Sequence, residues 1–247
     1  MILKDRTILV TGAGGGLGRE IVLACGRAGA HVILSDFNAD LGAESLAALT
    51  AAGGSGELRL ADLSDPASIA ALGASLDGPL HGLINNGAIA TGIGGIGFRD
   101  IDIAVWDKVM QVNVRGTWLM IRACADALIA SGSGRVVNLA SDTALWGAPN
   151  LLSYTSSKGA IMAMTRSLAR ELGPDHVGVT AIAPGILTTE STEYVPQARH
   201  DLYETGRAVP GKQGTGDVAE VAAFLVSPPA ITLTGQTMPV DNGFVFN

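Results

Sequence analysis

The sequence is poor in the residue types that mark several large classes of protein. It has two cysteines, Cys25 and Cys124, and no Cys-x-x-Cys or cysteine–histidine spacing, which argues against a disulfide framework and against structural zinc. Its four histidines are scattered and fit no metal-ligand or catalytic-triad pattern. We therefore expect no metal ion, and we expect both cysteines to be buried free thiols in a reducing, cytoplasmic setting.

Positive charge and long apolar runs are also scarce. Sixteen Lys and Arg residues stand against 23 Asp and Glu residues, so the net charge of −7 would repel a nucleic acid. No stretch approaches the ~20 uninterrupted apolar residues of a membrane span. The charged N-terminus runs directly into a strand pattern and does not resemble a signal peptide. We expect a soluble protein that binds neither nucleic acid nor a membrane.

What the sequence does contain is a regular alternation of short aliphatic runs and longer amphipathic stretches. The aliphatic runs predict strands over Thr7–Val10, His31–Ser35, Glu57–Ala61, Gly82–Asn85, Arg135–Leu139, Val177–Ala183 and Thr237–Val240. The amphipathic stretches predict helices over Leu17–Ala28, Ala39–Ala51, Asp65–Leu76, Ile103–Ile129, Leu151–Leu172 and Asp217–Val226. Strands that are apolar on both faces and separated by helices indicate a parallel sheet covered on both sides.

The length and the connections favour one α/β domain over residues 1–247. A chain of 247 residues with 47% hydrophobic content can bury one large core, and no linker divides it. The longest irregular stretch begins near Gly185 and ends near Gly216, and loops of that length are often functional lids. We place a substrate lid at about 186–212.

A glycine-rich loop follows the first predicted strand and opens the first predicted helix. Glycine allows the backbone to turn tightly and to approach a pyrophosphate, which the free amides at the start of a helix then bind. Glycine turns are common, so the loop carries weight because of its position between strand and helix. The predicted contacts are Gly12, Gly15, Gly16, Leu17 and Gly18.

An acid at the end of the second predicted strand bears on the choice of cofactor. Asp36 lies 18 residues after Gly18, where a carboxylate accepts hydrogen bonds from the hydroxyls of an adenosine ribose. The alternative is a helix N-cap or a solvated turn aspartate. The carboxylate would repel the 2′-phosphate of NADP, and the next residue is Phe37, not a base. We therefore predict that NAD is preferred over NADP.

Tyr154, Lys158 and Ser141 are the candidate residues for proton transfer. A tyrosine and a lysine four residues apart in a helix share one face. The phenol has an ordinary pKa of about 10, and a neighbouring ammonium is expected to lower it. A serine hydroxyl nearby would orient the substrate oxygen, so the trio indicates proton transfer at oxygen.

Further motifs at a regular spacing give the chain a family resemblance. The pattern comprises Thr11-Gly12-x3-Gly16-x-Gly18, Asp62-Leu63, Asn85-Asn86-Gly87, Asn113, Ser141, Tyr154-x3-Lys158, Pro184-Gly185 and Thr234-Gly235-Gln236 with Val240-Asp241. In this order it resembles the short-chain dehydrogenase/reductase family over essentially the whole chain. The family usually reads Asn-Asn-Ala-Gly where this chain has Asn85-Asn86-Gly87-Ala88, so the flexible residue is shifted by one position.

The resemblance implies a single-domain, Rossmann-like, doubly wound, seven-stranded parallel sheet with helices on both faces. It also implies that Tyr154 is the general acid/base, that Lys158 binds the nicotinamide ribose, and that Asn113 holds a water in the proton relay. The remaining implied cofactor contacts are Phe37, Asp62, Leu63, Asn86, Gly87, Tyr154, Pro184, Gly185, Leu187 and Thr189. From their location alone, we expect the substrate pocket to include Thr143, Trp146, Asn150, Tyr194 and Tyr203.

These residues predict an NAD-dependent oxidoreductase that interconverts a secondary alcohol and a ketone. Two alternatives remain: a reductase of the 3-ketoacyl carrier-protein type, and a non-catalytic protein that senses NAD. The family resemblance implies that the long helices pair across two-fold axes, so we expect a homotetramer.

Overall fold

The predicted strands form one seven-stranded parallel sheet with helices on both faces, as expected. The computed structural model describes residues 1–189 and 192–246. The strand order is β3-β2-β1-β4-β5-β6-β7. The strands are β1 (Thr7–Thr11), β2 (His31–Asp36), β3 (Ser55–Leu60), β4 (Gly82–Asn85), β5 (Arg135–Leu139), β6 (Gly178–Pro184) and β7 (Thr237–Val240).

The helices cover the sheet and divide the core into two main layers. They are α1 (Gly16–Arg27), α2 (Ala39–Ala51), α3 (Pro66–Ala74), α4 (Ile103–Val109), α5 (Thr117–Ala130), α6 (Thr143–Trp146), α7 (Leu152–Leu172), α8 (Gln197–Gly206) and α9 (Thr215–Leu225). In β1, Ile8 and Val10 pack in the layer that contains α1 and α9, whereas Leu9 packs in the layer that contains α3 and α5. Successive strand residues face opposite sides, which explains why β1 is apolar throughout.

The structure differs from the predicted elements in three places. The long helix predicted over Ile103–Ile129 is interrupted by a π-helical segment, Met110–Gly116, between α4 and α5. Helix α8 lies in the stretch predicted to be irregular, and helix α6 lies where no element was predicted. Helix α8 has a polar sequence and follows Pro196, so its stability depends on the burial of Tyr203 more than on helix propensity.

The strand order places a crevice between the carboxyl ends of β1 and β4. From β1 the chain proceeds to β2 and β3 on one side, and from β4 it proceeds to β5, β6 and β7 on the other. Open parallel sheets bind ligands at such a reversal point. No helix in residues 1–189 and 192–246 is long and apolar enough to cross a membrane.

Candidate active site

A cavity of about 1130 Å³ runs along the carboxyl edge of the sheet. Its walls come from the loops after β1 to β6, from α7 and α8, and from the segment before α8. The residues predicted to contact the cofactor line it together: Gly12, Gly15, Gly16, Leu17, Gly18, Asp36, Phe37, Asp62, Leu63, Asn86, Gly87, Tyr154, Lys158, Pro184, Gly185, Leu187 and Thr189.

The glycine loop and the loop after β4 pack against each other backbone to backbone. A Cβ on Gly12 would lie 2.6 Å from the Cα of Gly87, and a Cβ on Gly18 would lie 1.9 Å from the carbonyl oxygen of Gly12. The side-chain Nδ2 of Asn86 donates to the carbonyl oxygens of Thr11 and Gly12 at 3.1 and 3.0 Å. A Cβ on Gly87, the displaced glycine of the Asn-Asn-Gly-Ala sequence, would lie 2.7 Å from Leu63 Cδ1 and 3.2 Å from the Gly12 amide nitrogen.

The same loop offers an open, positively polarised surface. Helix α1 begins after Gly15, its N-cap makes no side-chain hydrogen bond, and its first turn has no acidic residue. A Cβ added at Gly15 or Gly16 would meet no atom within 4 Å. The free amides and the helix dipole suit a pyrophosphate, so these residues fit a dinucleotide.

Asp36 is held rigidly at the end of β2. Its Oδ2 accepts a hydrogen bond from the Gly14 amide at 2.8 Å, and its Oδ1 accepts one from the Asn38 amide at 2.9 Å. The N-cap of α2 is Asn38 and not Asp36, so the alternative of a helix cap is not what the structure shows. The side chain of Phe37 is 77% exposed beside this carboxylate.

The adjacent Asp62 and Leu63 form the wall after β3. The Oδ1 of Asp62 accepts a hydrogen bond from the Ser64 amide at 2.7 Å, and this bond holds the pKa of Asp62 below its usual value. Leu63 lies against Gly116 at the end of the π-helical segment, where a Cβ would meet the Leu63 carbonyl oxygen at 2.6 Å. The π-helical segment is thus packed closely on the cavity wall.

Ser141, Tyr154 and Lys158 converge at the other end of the cavity. Ser141 follows β5, and the other two residues lie one turn apart on α7. The Ser141 hydroxyl hydrogen-bonds the phenol of Tyr154 and accepts a hydrogen bond from Thr143 Oγ1 at 2.9 Å. The Lys158 ammonium lies 5.5 Å from the centre of the Tyr154 ring and donates to the Leu139 carbonyl oxygen at 2.5 Å.

The expected lowering of the tyrosine pKa is not found. Burial raises the pKa of Tyr154 to about 12; the hydrogen bond from Ser141 opposes this shift, and the nearby Asp142 adds to it. Burial also lowers the pKa of Lys158 to about 8, because the ammonium loses hydration without gaining a carboxylate partner. Desolvation therefore outweighs the proximity of the lysine, and the phenol is protonated near neutrality.

Asn113 does not line the cavity. It is buried in the π-helical segment, where its Oδ1 accepts from the Ile89 amide at 2.8 Å and its Nδ2 donates to the Ile89 carbonyl oxygen at 3.0 Å. Its Nδ2 also donates to Ser157 Oγ at 3.1 Å. Its side chain thus joins the loop after β4 to the turn of α7 that carries Tyr154 and Lys158.

The predicted substrate residues separate into two groups. Thr143, Asn150, Tyr194 and Tyr203 line the cavity. Trp146 does not: its Nε1 donates to Tyr203 Oη at 3.1 Å, and its ring packs edge-on against Tyr203 and Phe244. A substrate contact of Trp146 stays a prediction, and its orientation depends on aromatic partners more than 50 residues away in sequence.

Several cavity residues were not predicted from the sequence. They are Lys108, Ile89 and Asp142. Arg199 also lines the cavity and lies in the predicted lid, and its guanidinium lies 5.0 Å from the centre of the Trp146 ring. Asp142 was identifiable in principle, since it directly follows Ser141.

Acidic, histidine and cysteine side chains form no group of three that could hold a metal ion in the described part of the chain. Cys25 and Cys124 are buried free thiols, and burial raises the pKa of each to about 12.

Comparison with known proteins identifies the family. A family model described as enoyl-(acyl carrier protein) reductase matches residues 12–245. The 2-(S)-hydroxypropyl-CoM dehydrogenase 3 of Xanthobacter autotrophicus is 35% identical, with 98% of this chain and 97% of that protein covered. The galactitol 2-dehydrogenase (L-tagatose-forming) of Cereibacter sphaeroides is 37% identical, with 95% and 93% covered.

Two further matches bear on substrate and cofactor. The 3-oxoacyl-(acyl-carrier-protein) reductase of Pseudomonas aeruginosa is 32% identical, with 98% of each chain covered. The crystal structure of an Agrobacterium tumefaciens protein with bound NADP is 33% identical, with a TM-score of 0.89 and coverage of 98% and 97%. With its parallel sheet, glycine loop and Tyr154–Lys158 pair, this chain belongs to the short-chain dehydrogenase/reductase family and is an NAD(P)-dependent oxidoreductase.

Proposed function

We propose that the protein interconverts a secondary alcohol and a ketone with NAD, and that Tyr154 is the general acid/base. The observation that carries the proposal is the convergence of Ser141, Tyr154 and Lys158 on one cavity whose other end holds the glycine loop and Asp36. Hydride transfer needs a positioned oxygen, a proton donor or acceptor, and a site for the dinucleotide. One cavity supplies all three.

The proposed catalytic residues transfer one proton and stabilise one developing negative charge. The nicotinamide supplies or accepts the hydride when the cofactor is bound. In ketone reduction, the protonated phenol of Tyr154 donates its proton to the developing alkoxide, while Ser141 donates a hydrogen bond to the same oxygen. In alcohol oxidation, Tyr154 accepts the alcohol proton. The Lys158 ammonium holds the nicotinamide ribose and stabilises the phenolate by its charge.

Asn113 acts by positioning. Its amide holds Ser157, and Ser157 lies on the α7 turn between Tyr154 and Lys158. We also propose that Asn113 holds a water in the proton relay, as the family resemblance implies.

The choice of NAD rests on the fixed carboxylate of Asp36. A 2′-phosphate would meet this charge, and the adjacent exposed side chain is the neutral Phe37. A similar protein binds NADP, so the preference must be measured on this chain. The test is the ratio of kcat/KM for NAD and NADP, and a clear NADP preference would overturn this part of the proposal.

The carrier-protein reductase is the second candidate, and a relative of 32% identity supports it. An acidic carrier protein would need basic residues around the cavity, and besides Lys158 the described lining contains Lys108 and Arg199. The turn after α5, residues 131–134, contains none, and the turn after α7 contains Asp175 and His176. If an acyl-carrier substrate with NADPH gave the best kcat/KM, the carrier-protein reductase would become the first candidate. We do not propose enoyl reduction, because the enoyl reductases of the wider family space tyrosine and lysine more widely.

The decisive experiment compares turnover and binding in matched variants. Wild type, Tyr154→Phe and Tyr194→Phe are assayed with NAD and a panel of secondary alcohols, and NADH binding is followed by fluorescence. Tyr194 is the comparison because its hydroxyl lies in the same cavity and donates to the Ala90 carbonyl oxygen at 2.8 Å. We expect Tyr154→Phe to lose about 10³-fold in kcat, within the range of general acid/base catalysis, with NADH binding retained. Tight NADH binding without turnover on any alcohol would instead support the sensor.

Two structural proposals accompany the function. The segment 186–212 closes over the substrate half of the cavity, since Pro196, Ala198 and Arg199 line its wall. The protein assembles as a homotetramer, because Ile103, Trp118 and Leu152 leave apolar surface exposed on α4, α5 and α7. A monomer peak in light scattering at micromolar concentration would contradict the tetramer.

A further inference from the structure

A buried carboxyl group lies beside the active-site serine and neither donates nor accepts the proton in the transfer described above. Asp142 follows Ser141, is fully buried, and lines the cavity. Its Oδ1 accepts a hydrogen bond from Tyr203 Oη at 2.8 Å. Among the described residues, its buried Oδ2 has no hydrogen-bond partner. A carboxylate left half-satisfied in the interior is costly, so its retention needs a reason.

The partner tyrosine belongs to the helix above the substrate half of the cavity. Tyr203 lies on α8 and is 1% exposed. Its hydroxyl accepts from Trp146 Nε1 at 3.1 Å, and its ring stacks on Phe244 at 4.2 Å. The Asp142–Tyr203 hydrogen bond therefore joins α8 directly to the chain beside Ser141, with α6 and the C-terminal segment packed around it.

The other charged groups around Asp142 are already engaged. Asp241 accepts backbone hydrogen bonds from Gly243, Phe244 and Val245. Arg207, just after α8, donates to the carbonyl oxygens of Asp241, Gly211 and Ile186 and to the Gln213 amide oxygen. Tyr203 is thus the one side chain that Asp142 bonds among the residues described.

The turn after β6 packs tightly against the Asp142–Tyr203 pair. A Cβ on Gly185 would lie 3.1 Å from Asp142 Oδ2 and 3.1 Å from Tyr203 Cε1. The Pro184–Gly185 turn is thereby pressed against the pair, on the side where the nicotinamide is proposed to bind. Burial raises the pKa of Asp142 to about 7, Asp241 adds to the shift, and the hydrogen bond from Tyr203 opposes it.

We propose that the Asp142–Tyr203 hydrogen bond is the latch that holds α8 over the substrate half of the cavity, which makes both of them positioning residues for the reaction. The inference rests on the proposed alcohol–ketone function. The latch acts on substrate binding because α8 and the residues before it form the outer wall, whereas the glycine loop and Asp36 lie at the far end. Loss of the latch weakens substrate binding more than dinucleotide binding.

The test uses three single variants and one double variant. Tyr203→Phe removes the donor, and Asp142→Ala removes the acceptor. Asp142→Asn is the conservative variant, since its amide oxygen still accepts from Tyr203 and its NH2 replaces the unpartnered oxygen. We expect the substrate KM to rise about tenfold in the first two variants, as for loss of one hydrogen bond. Asp142→Asn stays within about threefold of wild type, and kcat changes less than KM in all three.

The substrate KM of the double variant and the Kd for NADH distinguish a latch from a merely structural role of Asp142 and Tyr203. Because the two residues act through one bond, Asp142→Ala with Tyr203→Phe raises KM no more than either alone. The Kd for NADH rises less than the substrate KM in Tyr203→Phe and Asp142→Ala. A roughly hundredfold rise in the double variant, an unchanged KM in the singles, or an equal rise in the NADH Kd would overturn the latch.

Amide hydrogen exchange in α8 tests the latch even if no alcohol is a substrate. In Tyr203→Phe and Asp142→Ala, amides of α8 exchange at least tenfold faster than in wild type, while those of α1 and α9 do not. Asp142→Asn retains the wild-type rate. Unchanged exchange in α8 would refute the latch even for a protein that turns over no alcohol. Faster exchange without turnover would refute the alcohol–ketone function and leave the latch standing.

Discussion

The cofactor preference can be changed at one exposed position without disturbing the fold. Replacement of Asp36 itself is a poor choice, because both of its carboxylate oxygens accept hydrogen bonds from backbone amides, those of Gly14 and Asn38. An asparagine there would turn its NH2 towards one of these donors. Phe37→Arg instead adds a cation beside the same site, and the 77% exposed Phe37 gives up little packing.

The expected magnitude follows from Coulomb's law. In surroundings as polar as water, two opposite unit charges about 4 Å apart attract each other by about 1 kcal/mol. A 2′-phosphate with a charge of about −1.5 to −2 would therefore gain roughly 1.5–2 kcal/mol from the arginine. This corresponds to a roughly tenfold to thirtyfold gain in kcat/KM for NADP, with little change for NAD.

The assay measures kcat/KM for both cofactors with one alcohol at low and high salt. Phe37→Gln is the matched control, since it removes the ring without adding charge. The NADP gain should appear only with arginine and should shrink at high salt through screening. An arginine effect below threefold, or an equal effect in the glutamine variant, would refute the placement of the ribose beside Asp36.

Three other predictions follow from the packing and the pKa shifts. Gly18→Ala should destabilise the fold by about 1–3 kcal/mol in urea unfolding and weaken NADH binding, whereas Gly216→Ala, where a Cβ meets no atom, should not. Asp142→Asn removes a charge that raises the pKa of Tyr154, so the acidic limb of the alcohol-oxidation profile should move to lower pH; an unchanged limb would contradict this coupling. Lys158→Gln should raise the KM for NAD and move the same limb to higher pH, and a shift to lower pH would exclude a charge effect on the phenol.

The sequence was sufficient for the fold class and for the residues of the proposed proton transfer. Spacing within one element carries that information: Tyr154 and Lys158 share a helix face by the i, i+4 rule, and the glycine loop and Asp36 each close a strand. Apolar runs such as Ile8–Val10 identify buried strands without any knowledge of their partners. The connections between elements were predicted less well, because the polar α8 carries no strong periodic signal.

Properties that depend on distant partners could be read only from the tertiary structure. Trp146 faces Tyr203 and Phe244 instead of the cavity, and Asn113 holds Ser157 and the loop after β4. The pKa of Tyr154 is raised and not lowered, since burial by the whole fold outweighs one neighbouring lysine. The sequence by itself determined which residues are adjacent within an element; the tertiary structure decided which side chains face the cavity and how far each is desolvated, because both depend on contacts between elements.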